Sequence, residues 1–304
     1  MKKLLYILIL FSSFNSSAQH VPLQSHYMFN GVALNPAYTG SEDAFSIVGS
    51  FRAQWVGFPG APLTQSLTAH TPLKNLNSAV GLQLHADQIG VTRKTGIFGS
   101  YAYRVQMNNS TLVFGAAGGL NFIRSFYSTL EGNDAGDQIT MNDSPLGVLP
   151  NLSVGMHYYG EKYFLSFSLP SFLSHEFDNN KFRISNNFRN YNMMFGGGYQ
   201  FTTKNGQKFK PSVLLKYKLD SPLQADINLM ASLNRTLELG LSYRTSEAII
   251  VLSKLNINNQ FAIMYSFGLP MSELIQHTYG SHELSLKYTF LYKSDITSPR
   301  FLGF

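Results

Sequence analysis

The sequence contains no cysteine, a single tryptophan among its 304 residues, and only 13% charged residues. The absence of cysteine excludes disulfides, thiolate metal sites, cysteine catalysis and a lipidated N-terminal cysteine. Soluble domains usually carry ~25% charged residues, so a chain with so few is unusual in water. A membrane β-barrel needs few charges, because its outer face contacts lipid. The composition therefore favours a barrel.

Long apolar segments are also missing beyond the N-terminus. A transmembrane helix needs ~20 consecutive apolar residues, and no later segment approaches that length. An exported chain of this kind can cross a membrane only as strands. The formal net charge of +6 is spread along the chain without a Lys/Arg cluster, so it does not indicate a nucleic-acid partner.

The N-terminus has the parts of a secretory signal peptide. Residues 1–3 are a basic n-region, residues 4–11 an apolar h-region, and residues 16–18 supply the small residues of a cleavage site. We expect a signal peptide over residues 1–18, with cleavage after Ala18. A lone transmembrane helix is the alternative, but the apolar run is far shorter than the ~20 residues required.

Apolar and polar residues alternate with a period of two through most of the mature chain. The pattern is clearest over residues 236–244, where Leu239 and Leu241 would lie on one face and Glu238 and Arg244 on the other. About 14 segments carry such a pattern. They cover residues 43–55, 63–72, 79–87, 94–106, 110–122, 151–159, 162–169, 191–202, 209–218, 226–233, 236–244, 248–255, 260–268 and 282–292.

The connections between these segments divide by length. Every second connection is short, such as 108–109, 160–161 and 234–235, and the alternate set contains the long ones, 123–150 and 170–190 among them. Outer-membrane barrels have an even number of ~10-residue strands, short periplasmic turns and longer outer loops. We therefore predict an all-β chain: a transmembrane up-and-down antiparallel β-barrel over residues 43–292. A soluble β-sandwich is the alternative, but it gives no reason for this division.

Charged residues in the predicted strands fall on the polar side. A Lys or Arg facing lipid near the midplane would cost ~2–4 kcal/mol, so these residues should face the lumen. They are Arg52, Arg104, Asp226, Glu238, Arg244 and Lys287. The histidines His70, His85 and His157 could also line the lumen, where hydrogen-bonded structural roles are favoured over metal binding.

The segment before the first strand, residues 19–42, is aromatic and contains Asn and Pro. Disordered leaders have few aromatic residues, yet this one carries Tyr27, Phe29 and Tyr38. A medium-sized barrel encloses a lumen unless something fills it. We predict that the segment folds into the lumen as a plug or caps its periplasmic mouth; a flexible leader is the alternative.

Motifs of common enzymes are absent. The sequence has no G-x-S-x-G, Walker A, H-E-x-x-H or S-x-x-K motif. Residues Ser281, His282 and Glu283 cannot converge as a triad, because adjacent strand residues face opposite sides. The glycine runs at 115–119 and 196–198 are typical of close backbone approach or barrel curvature. We therefore expect no enzymatic activity, no cofactor and no metal.

Several ordered motifs resemble the PorP/SprF family, the outer-membrane proteins of the Bacteroidetes type IX secretion system. They include the motifs at 27–30 (YMFN), 34–40 (LNPAYTG), 52–57 (RAQWVG), 101–104 (YAYR) and 280–284 (GSHEL). The resemblance spans nearly all of the mature chain, although residues 123–210 match only in pattern.

The resemblance implies an outer-membrane barrel that works with the type IX export and gliding machinery. Such proteins support secretion or cell-surface anchoring of a partner, an adhesin or exported enzyme, often with a type B C-terminal sorting domain. The family motifs are expected to pack in the plug or the lumen. Their residues are Tyr27, Phe29, Asn30, Asn35, Pro36, Tyr38, Arg52, Gln54, Trp55, Tyr103, Arg104, His282 and Glu283.

The long loop over residues 123–150 is the expected partner-docking surface, and solvated decoration is its alternative. The candidate residues are Asn133, Asp134, Asp137, Asn142 and Asp143. Residues 293–304 are predicted to form a periplasmic tail. The alternatives to a secretion role are a diffusion channel or small-molecule transporter, and an outer-membrane hydrolase.

Overall fold

The computed structural model describes residues 24–42, 44–74, 77–129, 142–178, 181–185, 187–290 and 303–304. Short 3-10 turns at Ser25–Met28, Gly31–Ala33 and Pro36–Tyr38 precede the strands. The strands are β1 (Phe45–Ala53), β2 (Leu63–Pro72), β3 (Ser78–Ile89), β4 (Thr92–Gln106), β5 (Ser110–Ser125), β6 (Gly147–Gly160), β7 (Tyr163–Leu169), β8 (Ser174–Asp178), β9 (Lys181–Ser185), β10 (Met193–Tyr199), β11 (Phe201–Thr202), β12 (Lys208–Tyr217), β13 (Gln224–Ser232), β14 (Leu237–Arg244), β15 (Ala248–Asn256), β16 (Phe261–Pro270) and β17 (Ser281–Phe290). Further 3-10 turns occur at Tyr127–Thr129, Phe188–Asn190 and Glu273–Gln276.

Fourteen of these strands form a closed antiparallel barrel. Strands β1–β7, β10 and β12–β17 each pair with their neighbours in the chain, and β1 pairs with β17 to close the sheet, with Phe45 opposite Phe290. Strand β11 extends the edge of β10 alongside β12. The predicted barrel of about 14 strands is confirmed. In the described ranges, no helix has the length and apolar character to span a membrane.

The strand bounds agree closely with the sequence pattern. Strand β2 occupies the predicted residues, whereas β6 begins at Gly147 rather than at residue 151, because it stays paired with β5 as far as Ile123. The separate hairpin of β8 and β9, inside the connection between β7 and β10, was not predicted. Strands of five residues within a long loop give too weak a periodic signal to be identified.

Alternation along each strand separates an apolar exterior from a polar interior. On β14, Leu239, Leu241 and Tyr243 are 40–52% exposed, whereas Ser242 and Arg244 are buried. Exposed leucine, isoleucine, phenylalanine and tyrosine cover the outside of the other strands in the same way. This exterior is the apolar band that contacts lipid in outer-membrane barrels. The six charged strand residues lie on the opposite, inward side, as predicted.

The connections define two ends of the barrel. All the long ones, including those over residues 126–146 and 271–280, lie at one end, which we call the long-loop end. The other end, the short-turn end, carries the connections over 107–109, 161–162 and 233–236. Because β1 starts and β17 finishes there, both termini of the barrel lie at the short-turn end, which is periplasmic in outer-membrane barrels.

Candidate functional site

Residues 24–42, here called the luminal segment, lie inside the barrel. The backbone of Ser25 contacts Glu283, near the long-loop end, and Glu42 forms an ion pair with Lys287, toward the short-turn end. Between them, the segment contacts inward-facing residues of β2, β4, β5, β6 and β13. The segment therefore traverses the lumen rather than covering one mouth.

Glu283 holds the start of the luminal segment. Its carboxylate accepts hydrogen bonds from the backbone N–H of Ser25, at 2.6 Å, and of His26, at 3.2 Å. Arg52 Nη1 lies 3.4 Å from the same carboxylate and donates to Ser25 Oγ at 2.9 Å. The first N–H groups of a helical turn have no partner within the turn, so a buried carboxylate satisfies them. All four residues are buried.

Asn35 bonds the luminal segment to two strands of the wall. Its Nδ2 lies 3.1 Å from the carbonyl oxygens of both Met156 and Phe167 and 2.9 Å from Ser166 Oγ. Its Oδ1 accepts from the backbone N–H of Ala37 at 2.8 Å. Asn35 therefore joins the segment to β6 and β7 and caps its third 3-10 turn.

Two facing glycines make room for Asn35 and the turn that follows it. Gly115 on β5 and Gly155 on β6 are paired across the sheet. A Cβ atom at Gly155 would lie 1.8 Å from Asn35 Oδ1, and one at Gly115 would lie 2.2 Å from the backbone nitrogen of Ala37. Glycine at both positions allows the backbone of the segment to pack directly on the barrel wall.

The end of the luminal segment is held by a second set of contacts. Arg104 donates a hydrogen bond to the carbonyl of Gly40, and the Gly40 N–H donates to His70 Nδ1 at 3.2 Å. Gly40 has a φ of +76° and packs on Ala79, which together require glycine. Glu42, at the end of the segment, forms an ion pair with Lys287 on β17.

The predicted luminal histidines take structural positions. The ring centroid of His157 lies 4.3 Å from that of Tyr38, and His85 Nε2 lies 3.1 Å from Asn121 Oδ1. With the His70 contact to Gly40, each of the three therefore has a partner in the segment or the wall. Among the described residues, no cluster of three or more His, Asp and Glu side chains could hold a metal ion.

A buried ion cluster lies on the inner face of β12, β13 and β14. Asp226 accepts from Lys216 Nζ at 2.8 Å and from Arg244 Nε at 3.1 Å, and Arg244 Nη1 lies 3.0 Å from Glu247 Oε1. Next to it, Asn228 Nδ2 donates to Tyr27 Oη at 2.9 Å. The luminal segment is thus bonded to β13 as well as to β6, β7 and β17.

The structure places nine of the predicted motif residues inside the barrel. Asn30 Nδ2, for example, donates to Thr68 Oγ1 at 2.9 Å, and Phe29 packs against the ring of His26. The nine residues are Tyr27, Phe29, Asn30, Asn35, Pro36, Tyr38, Arg52, Arg104 and Glu283. Six of them lie within residues 27–38, and the other three lie on the wall strands β1, β4 and β17.

The other motif residues do not belong to this cluster. Tyr103 points outward and is 45% exposed, because it precedes the inward Arg104 on β4. His282 alternates with Glu283 in the same way, and its Nδ1 lies 2.7 Å from Tyr265 Oη on the barrel exterior. Trp55, with a φ of +50°, and Gln54 lie in the connection after β1, at the long-loop end.

Phe304 joins the cluster, although the sequence suggested that residues 293–304 form a periplasmic tail. Its ring is buried, with centroids 5.3 Å from Tyr27 and 5.0 Å from Phe164. A Cβ atom at Gly196 would lie 2.2 Å from the Phe304 ring. Sequence reasoning missed this contact, and the glycine run at 196–198 was its one signal.

The predicted docking loop is described only in part. Asn133, Asp134 and Asp137 lie outside the described residues, and Asn142 is exposed. Asp143 accepts from the hydroxyl of Ser128 at 2.7 Å and from its N–H at 3.2 Å, and the hydroxyl hydrogen bond lowers the pKa of Asp143. The described base of the loop is therefore ordered by its own polar groups. The predicted signal peptide also lies outside the described residues.

Comparison with known proteins agrees with this geometry. A family model described as "Type IX secretion system membrane protein PorP/SprF" matches residues 16–288. No curated protein matches the chain. Among solved structures, the chain is similar to the toluene transporter TbuX of Ralstonia pickettii, with a TM-score of 0.52, 9% identity, and coverage of 90% of this chain and 96% of that one.

Two further structures give the same result. The toluene transporter TodX of P. putida has a TM-score of 0.52 and 11% identity, with coverage of 86% of this chain and 94% of that one. The outer-membrane protein Omp33 of Acinetobacter baumannii has a TM-score of 0.50 and 9% identity, with coverage of 83% and 100%. At such identities the similarity concerns the fold alone.

Proposed function

Because the chain belongs to the PorP/SprF family of type IX secretion system membrane proteins, we propose that it supports the secretion or cell-surface anchoring of a partner protein. The partner is a secreted adhesin or exported enzyme with a C-terminal sorting domain of type B. Other components of the type IX system act with it. The barrel itself performs binding and carries out no enzymatic step.

The occupied lumen is the observation that supports a role in protein binding over a role as a diffusion channel. The luminal segment forms hydrogen bonds to β2 through Asn30, to β6 and β7 through Asn35, to β13 through Tyr27 and to β17 through Ser25. A segment bonded to walls on several sides of the lumen obstructs free passage of solutes. Because of this obstruction, we rank a small-molecule transporter second, after the protein-binding role.

Deletion of the gene tests the proposed function. We expect one or a few exported proteins to disappear from the cell surface, while the other type IX substrates are still secreted, because the barrel serves a particular partner. Quantitative mass spectrometry of surface and medium fractions measures this result. The intact chain, reintroduced on a plasmid, should restore the missing proteins. An unchanged set of exported proteins together with reduced uptake of a solute would favour the transporter.

Removal of the outer loop tests where the partner docks. Deletion of residues 133–143 should release most of the partner into the medium, because the loop lies at the long-loop end and supplies polar groups for recognition. Replacement of the same residues by Gly and Ser, at constant length, should have the same effect if side chains make the contact. Immunoblots of cells and medium measure attachment, and full attachment in both variants would remove this loop from the docking surface.

A further inference from the structure

A cavity of about 420 Å³ lies beside Phe304, inside the barrel toward the short-turn end. Its charged lining consists of Lys208, Lys210, Lys254, Lys287, Glu42 and Glu238. Gln200 and Ser232, next to the short turns, complete the side that faces the periplasmic mouth. The cavity is therefore placed where a segment could enter from the periplasm without passing the luminal segment.

The apolar side of the cavity is an aromatic pocket, and Phe304 fills it. The Phe304 ring meets Tyr27 and Phe164 edge to face, and it packs over Gly196, where no side chain is present. Tyr38 closes the pocket from the luminal segment. An aromatic ring gains most from such a site, because the pocket removes its whole apolar surface from water and favours edge-to-face contacts.

The charged side of the cavity has more positive than negative groups. Lys254 pairs with Glu238 at 2.8 Å, and Lys287 pairs with Glu42. Lys208 and Lys210 form no ion pair with any described carboxylate. Four lysines thus face two glutamates around one cavity, which favours an anionic group in the space beside the aromatic pocket.

We propose that this cavity binds a polypeptide segment that carries acidic residues next to an aromatic residue. Gly303 and Phe304 occupy the aromatic part of the site, and the lysine-lined part is left for the acidic residues of the partner. An incoming segment therefore replaces Phe304 with its own aromatic ring. The identity of the partner rests on the proposed function, whereas the chemistry of the site does not.

Peptide binding to the full chain in nanodiscs tests the proposal. The probe is a fluorescein-labelled peptide ending in Asp-Glu-Leu-Gly-Phe amide, and its counterpart has Asn and Gln in place of Asp and Glu. Phe304→Ala should bind the acidic peptide about tenfold more tightly than the intact chain. In the intact chain only the molecules whose pocket is free of Phe304 can bind the peptide, and a small fraction of such molecules weakens the apparent affinity in proportion. The neutral peptide should bind at least about tenfold more weakly than the acidic one.

A charge-matched control separates this site from general attraction to lysine. Lys208→Gln with Lys210→Gln, added to Phe304→Ala, should remove most of the binding. Lys162→Gln with Lys204→Gln changes the net charge equally, but both lysines are exposed in short turns, so binding should stay within about twofold. Equal binding of the two peptides, or equal loss in the two double variants, would overturn the proposal.

A measurement on the intact chain covers the case in which Phe304→Ala does not fold. The acidic peptide with a photoreactive phenylalanine in place of Phe should crosslink to fragments containing Tyr27 or Phe164. Crosslinks confined to the barrel exterior would contradict the proposal. Because both experiments measure binding in vitro, their failure would leave the secretion role intact, and loss of secretion would not decide the peptide site.

Discussion

Replacement of Gly115 by valine should displace the luminal segment and open the lumen. A Cβ atom there would lie 2.2 Å from the nitrogen and 2.5 Å from the Cα of Ala37, which are backbone atoms that cannot move without the whole turn. Overpacking of this kind costs ~1–3 kcal/mol. A change of that size raises the displaced population about 5- to 150-fold.

Two measurements detect the displacement. Protease cleavage within residues 24–41 should become faster in Gly115→Val barrels, and planar bilayers should show steady conductance that the intact chain lacks. Gly99→Val on β4 is the matched control, because nothing lies within 4 Å of a Cβ at that position. Valine is favourable in strands, so both variants should form the barrel. If Gly115→Val barrels still resisted protease cleavage within residues 24–41 and still showed no conductance, the result would contradict a plug role for the segment.

Arg244→Met should lower the free energy of unfolding of the barrel by about 3–5 kcal/mol, because it removes one partner from a buried ion cluster. The guanidinium contacts both Asp226 and Glu247, and its side chain is fully buried. Loss of the cation leaves Asp226 with Lys216 alone. The carboxylate then keeps its desolvation penalty without the charge that offset most of it.

Urea unfolding in lipid vesicles measures this effect. Arg235→Met, in the exposed turn between β13 and β14, is the control and should change the free energy by less than about 0.5 kcal/mol. Asp226→Leu combined with Arg244→Met should cost less than the sum of the two single substitutions, since the pair is then removed together. Equal effects of Arg244→Met and Arg235→Met would show that the cluster does not stabilise the barrel.

Sequence periodicity predicted the barrel because lipid imposes a strict rule on every strand. The polarity of each side chain indicates whether it faces lipid or the lumen. Leu241 and Arg244 could therefore be assigned to their faces without any tertiary information. The hairpin of β8 and β9 obeys no such rule, since it lies in a loop outside the membrane. Its strands could not be identified for that reason.

The interior of the site was only partly predictable. Aromatic residues marked the luminal segment, but nothing in the sequence paired Asn35 with the carbonyl groups of Met156 and Phe167. Such contacts depend on distances across the lumen, which alternation does not encode. The family motifs did not show which of their residues face the lumen, because adjacent strand residues such as Tyr103 and Arg104 point to opposite sides of the barrel wall.

The bond between Ser25 and Glu283 joins residues 258 positions apart. Its acceptor belongs to β17, the strand whose pairing with β1 completes the cylinder. The contact that holds the start of the luminal segment can therefore form only after the last strand has been made. Contacts of such long range form slowly. We therefore expect proteases to cleave within residues 24–42 faster before the barrel closes than after it.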